Sequence, residues 1–157
     1  MGRSATTERL APGRTRHEDD LYTWVGEQVA LLRAGHLDQV DARNLAEELS
    51  DLGSEQYDKL ESALEVLLMH LLKWDHQSDR RNRSWQLTIV EQRRRVERQL
   101  VRNPGLKSRL SEAIEDGFVL GRVRAAKEMD VALSTLPASC PYDWAAILHR
   151  PITPPDL

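Results

Sequence analysis

The sequence predicts an all-α protein: an antiparallel bundle of four main helices plus a short C-terminal helix. Three observations lead there. Leucine supplies 23 residues against four isoleucines and one phenylalanine, a balance that suits helices because strands favour β-branched and aromatic side chains. Apolar residues recur at spacings of three and four over long stretches, above all from Asp41 to Trp74, which ends in the block Leu67-Leu68-Met69-His70-Leu71-Leu72-Lys73-Trp74. Capping residues and Gly or Pro stops bracket those stretches. At 157 residues the chain is long enough for one domain with a real core. Residues 1–17 lack periodicity and are expected to form a flexible tail, with 18–157 as a single helical-bundle domain.

Each element follows from local pattern. Asp19 or Asp20 caps a first helix whose face is Leu21, Trp24, Val25, Gln28 and Leu32, and Gly35 ends it. Asp41 caps the second. Leu45, Leu49 and Leu52, then Leu60, Leu64, Leu67, Leu71 and Trp74 hold nearly one stripe. Gly53-Ser54 interrupts that stripe, and the helix is expected to continue through the pair with a kink allowed there. The polar run from Asp75 to Arg83 is a loop. Ser84 caps a third helix with face Trp85, Ile89, Arg93, Val96 and Leu100, stopped by Asn103-Pro104-Gly105. A fourth helix spans about 106 to 133 with small residues at Gly117, Gly121 and Ala125, one side of a helix at i,i+4, which let another helix approach closely. Five prolines punctuate the rest, and Tyr142, Trp144, Ile147 and Leu148 suggest one short helix that seals the bundle.

Composition narrows the function classes. The single cysteine, Cys140, leaves no intrachain disulfide framework and no Cys-rich metal site. In its proline-rich turn it is expected to be a packed small side chain. No run reaches the length of a membrane span, and the charged start of the chain lacks the apolar stretch of a signal peptide. The expectation is a cytoplasmic protein with no membrane contact, no cofactor and no metal. Net charge is −3, but its layout is lopsided. From Glu18 to Asp79 there are 15 acidic and 4 basic residues; from Arg80 to Arg109 there are 10 basic and 2 acidic.

A few polar residues stand where apolar ones belong. His70 lies in the inner stripe, where a histidine mostly donates one ring proton to a buried acceptor and less often serves as ligand or acid–base group. Arg93 interrupts the apolar face of the third helix. A guanidinium keeps its charge, so a buried one must be paired, and Glu47 or Glu48 is the expected partner. These four form the candidate polar site. Glu48 and His70 would stand ~33 Å apart on an unbroken helix, so they share a site only if the helix breaks near Gly53. Arg94, Arg98 and Arg102 fall on one line at i,i+4 and form the candidate basic surface. No helix-turn-helix, finger or stacking platform surrounds them, and the pI near 6.0 disfavours a dedicated nucleic-acid binder.

The ordered motifs Asp20-Leu21-x-x-Trp24, Leu32-Arg33-x-Gly35, Asp41-x-x-Asn44-Leu45-x-Glu47-Glu48, His70-Leu71-Leu72-Lys73-Trp74, Ser84-Trp85-x-x-x-Ile89-x-x-x-Arg93 and Cys140-Pro141-Tyr142 carry a resemblance. Over roughly residues 19 to 154 the chain resembles the bacterial family catalogued as domain of unknown function twenty-nine. Asn103-Pro104-x-Leu106, Arg122 and Glu128 match as well, whereas Phe118-x-x-Gly121-Arg122 departs from the family's Tyr-x-x-Ala-Arg. The resemblance implies an all-helical fold and carries over no assigned activity. The lack of catalytic motifs and the surplus of apolar helical surface make the expected function a non-catalytic interaction or regulatory module that binds a protein partner or a second copy of itself. The alternatives are a ligand-binding or enzymatic site at Glu47, Glu48, His70 and Arg93, or nucleic-acid binding through Arg80–Arg109. A dimer is expected to bury the leucines around Leu45, Leu49 and Leu52.

Overall fold

A computed structural model of the chain describes residues 14–153. The fold is all-α, with four long helices and a short C-terminal one: α1 Leu21–Arg33, α2 Ala42–His76, α3 Arg83–Arg102, α4 Leu110–Met129 and α5 Trp144–His149. No strand occurs among the described residues. The chain divides into two compact units at the Leu52–Gly53 bond. α2 runs unbroken through Gly53 and Ser54 and contributes to both.

The first unit is a helical hairpin built on side-chain caps. The Asp20 carboxylate accepts from the Thr23 backbone N–H at 3.0 Å, satisfying one of the free donors at the start of α1. α1 ends at Ala34, and Gly35 then takes the left-handed conformation (φ 75°) that turns the chain back. Asp41 opens α2, accepting from Asn44 N at 3.2 Å, while its own N–H donates to Gln28 Oε1 at 2.8 Å. Trp24 Nε1–H reaches Asp41 Oδ2 at 3.3 Å, and the indole is 1% exposed. Of the expected tail, residues 1–13 lie outside the described residues. Arg14 donates to the Gln39 carbonyl, Thr15 to Glu27, and His17 packs edge-on against Trp24 at 4.8 Å between ring centroids.

The second unit holds the main core. Leu60, Leu64, Leu67, Leu68, Leu71 and Leu72 are fully buried. Between Leu67 and Leu72 every side of α2 is covered, which is why the stripe broadens there into a continuous apolar block. α3 returns antiparallel to α2: Gln99 bonds the Gln56 carbonyl at one end, and Lys73 sits over Trp85 at the other. α4 reverses again and so runs parallel to α2, with Tyr57 bonded to Asp116 and Lys73 to Glu128. Sequential neighbours are thus antiparallel, as short connections require. Gly117 and Gly121 set the α2–α4 spacing. A Cβ on Gly121 would stand 2.7 Å from the Glu65 carbonyl oxygen, so only glycine permits this approach. α5 is capped by Asp143 and buries Ile147 completely.

Three boundaries differ from the sequence reading. Asn82, not Ser84, caps α3 by accepting from Trp85 N at 2.9 Å. The Pro104–Arg109 segment is a 3-10 helix, so α4 proper begins at Leu110 rather than near Leu106. α4 ends at Met129, where Asp130 adopts a left-handed conformation (φ 55°), four residues before Leu133.

Candidate functional site

The four residues of the polar site have separate partners. His70 is buried, and its Nδ1 lies 2.8 Å from the Val66 carbonyl oxygen one turn back. A carbonyl only accepts, so Nδ1 carries the proton and Nε2 is the free acceptor of the neutral ring. Burial pushes the His70 pKa below its ordinary value, and the Val66 bond only partly offsets it. Arg93 corrects the expectation of a carboxylate partner. Its Nε donates to the Ile147 carbonyl at 2.8 Å and its Nη2 to the Ala146 carbonyl at 3.2 Å. A half-buried cation here meets the free carbonyls at the end of a short helix, the groups that lack partners within α5. Glu48 instead bonds His17 at 2.6 Å, and Glu47 touches Arg43 at 3.6 Å on an exposed surface. The four residues thus make four separate structural contacts, and the pairing expected between Arg93 and Glu47 or Glu48 is replaced by helix capping.

A polar cluster that the sequence reading passed over lies one turn from His70. The Lys73 ammonium is 2.5 Å from Glu128 Oε2 and 4.3 Å from the centroid of the Trp85 ring. Lys73 is 5% exposed, while the Glu128 side chain is 43% exposed. The bond from Lys73 outweighs desolvation and holds the Glu128 carboxyl below its usual range. Carboxylate and ring face together satisfy a cation that α2 would otherwise bury alone. Arg124 adds a second α2–α4 pair with Glu65 at 2.6 Å. The signal was present in the sequence: a lysine three residues after His70, inside a block apolar on all sides. Arg122 and Glu128 divide their work, Arg122 bonding the Leu133 and Leu136 carbonyls after α4.

Arg94, Arg98 and Arg102 are exposed along one wall of an open α2–α3 groove of about 870 Å³. Glu55 and Asp58 stand on the α2 wall, so the surface is of mixed sign. Cys140 is half-buried, its thiol directed at the Tyr142 carbonyl at 3.7 Å, and burial raises its pKa. Tyr142 and Arg150 both bond Asp75, closing the segment after α4 onto the end of α2. Among the described residues no three His, Cys, Asp or Glu side chains are grouped to hold a metal ion. No described helix is long and apolar enough to cross a membrane.

The first unit exposes an apolar face. Trp24 and Gln28 are the buried residues of α1, while Leu21, Val25, Val29 and Leu32, spaced i, i+4, i+8 and i+11, are exposed. Tyr22 is 90% exposed beside them. A shallow groove of about 560 Å³ follows Tyr22, Val25, Gly26 and Ala30. At the start of α2, Leu49 and Leu52 are 65% and 54% exposed. Single exposed leucines are ordinary, but helically aligned sets of them form a face.

Comparison with curated proteins and with solved structures gave no match. The motif residues placed above, from the Trp24–Asp41 contact to the Tyr142–Asp75 bond, fall within one family model that matches residues 17–151, and the chain belongs to that family, described as Domain of unknown function DUF29.

Proposed function

We propose that this protein is a non-catalytic interaction module that acts by self-association, with the apolar faces of its first unit as the contact surface. The observation that carries the reading is the ladder Leu21, Val25, Val29 and Leu32 on α1 together with Leu49 and Leu52 on α2, all exposed. Fully burying a leucine contributes about 1.5–3 kcal/mol, so covering a side chain exposed by half to two-thirds contributes roughly 1–2 kcal/mol. A second copy is the natural cover, because a two-fold contact lets one face meet its own image and closes the assembly. The polar side chains are engaged in architecture: Lys73 and Glu128 join α2 to α4, Arg93 joins α3 to α5, and His70 bonds the Val66 carbonyl within α2. The mixed sign of the arginine groove disfavours nucleic acid, whose phosphates would meet Glu55 and Asp58.

The test is sedimentation equilibrium of the full chain with Leu49→Glu and Val25→Glu variants. The wild type is expected at twice the 18.0 kDa monomer mass, and each variant is expected to shift to the monomer with unchanged helix content. Variants that remain as associated as the wild type would overturn the choice of surface.

A further inference from the structure

The arginine ladder of α3 has no carboxylate partner among the described residues. Lys59 and Arg95, in the same groove, are paired with Glu55 at 3.3 Å and Glu91 at 2.7 Å. Arg94, Arg98 and Arg102 make no ion pair among the described residues. Successive members stand ~6 Å apart along the axis, four residues at 1.5 Å each. Small side chains, Ser62 and Ala63, lie on the α2 side of the groove and leave room for a helix to approach. A phosphate backbone would bring negative charge to both walls at once. A helix with carboxylates on one side only would meet the arginines with that side and spare Glu55 and Asp58 the repulsion.

The chain carries such a side. Glu47 and Asp51 lie on α2 at the same i,i+4 step and are exposed. Glu47 has only a loose contact with Arg43 at 3.6 Å, and Asp51 has no ion pair among the described residues. Opposite ladders of equal pitch complement each other across an interface and fix its register. We infer that the Arg94–Arg98–Arg102 ladder of one copy docks on the Glu47–Asp51 ladder of a second copy. The inference rests on the self-association proposed above and adds its charge code: apolar faces supply the affinity, and the two ladders select the partner and orient it.

A charge exchange tests this. One variant carries Arg94→Glu, Arg98→Glu and Arg102→Glu; the other carries Glu47→Arg and Asp51→Arg. All five positions are exposed, and unchanged circular dichroism melts establish that both variants fold. Each variant alone places like charges across the contact, which raises the dimer Kd at least ~100-fold. An equimolar mixture restores opposite charges at both ladders and is expected to form a heterodimer within about tenfold of the wild-type Kd. Wild-type association weakens as salt rises from about 50 to about 500 mM. Reversal variants that dimerise as the wild type does, or a mixture that stays monomeric, would overturn the inference. If Leu49→Glu abolishes the dimer while the reversals do not, self-association stands and the charge code falls. A monomeric wild type removes both. A labelled single-stranded DNA that binds the wild type, is lost with the arginine reversals and leaves the dimer unaffected would assign the ladder to nucleic acid and overturn the inference.

Discussion

Gly121 and Gly53 are both interior to helices, and the same substitution at the two should move stability in opposite directions. A Cβ on Gly121 falls 2.7 Å from the Glu65 carbonyl oxygen and 3.3 Å from Met69 N, both backbone atoms of α2. Backbone cannot rotate aside, so α4 must retreat by several tenths of an ångström, loosening the packing of Phe118 and Ala125 beside it. Such overpacking costs about 1–3 kcal/mol, and the helix preference of Ala over Gly returns about 0.5–1 kcal/mol. The net loss for Gly121→Ala is then about 1–2 kcal/mol, a fall in Tm of roughly 3–6 °C for a chain of this length. At Gly53 nothing lies within 4 Å of the added methyl, so only the helix preference remains. Gly53→Ala is expected to gain about 0.5–1 kcal/mol, a rise of roughly 2–3 °C. Gly117, whose Cβ would meet Glu65 N at 3.0 Å, should fall between the two. Thermal melts followed by circular dichroism compare all three. A Gly121→Ala protein as stable as the wild type would refute the claim that α4 rides directly on the α2 backbone.

Lys73 and Glu128 should respond unequally to removal. Glu128→Gln leaves a buried ammonium facing Trp85 without its carboxylate, a loss of about 1.5–3 kcal/mol. Lys73→Met fills the same space with an apolar chain while the half-exposed carboxylate returns to water, so stability should stay within about 1 kcal/mol of the wild type. Urea denaturation distinguishes the two, and equal losses would show that the lysine charge itself is required. Acid should destabilise the fold in two stages. His70 and Glu128 both have folded pKa values below their ordinary values of 6.5 and 4.5, His70 through burial and Glu128 chiefly through its bond from Lys73. The unfolded chain therefore binds more protons, and stability rises with pH. It is complete above about pH 6.5, falls as His70 is forced to charge below that value, and falls again below about pH 4.5 as Glu128 is protonated. Melts across this range should flatten in their upper part for His70→Leu, and an unaltered profile would remove His70 from the account.

What was legible in the sequence was whatever periodicity and caps encode. Asp20 and Asp41 open α1 and α2 because a short carboxylate next to an apolar repeat has one common use. The leucines from Leu60 to Leu71 are buried because their spacing leaves one face to cover. The glycines of α4 identified a close approach, though not which helix they admit. The starts of α3 and α4 were less legible. Asn82 and Ser84 are equally able caps, and a 3-10 turn after Pro104 interrupts no apolar repeat. Arg93 illustrates a deeper limit. Its sequence position demands acceptors, but charge counting considers only carboxylates, whereas the acceptors present are the last carbonyls of α5. Lys73 escaped notice because a lysine is ordinarily solvated. Its burial depends on Glu128, 55 residues away in sequence, and on the Trp85 ring.

The exposed leucines and valines of the first unit are the proposed contact surface of a self-associating protein. Sedimentation equilibrium of the wild type at micromolar concentration, beside the Leu49→Glu/Leu52→Glu double variant, tests it most directly. A two-fold assembly is expected for the wild type and a folded 18.0 kDa monomer for the variant. A wild type that sediments as a clean monomer at every concentration would contradict it.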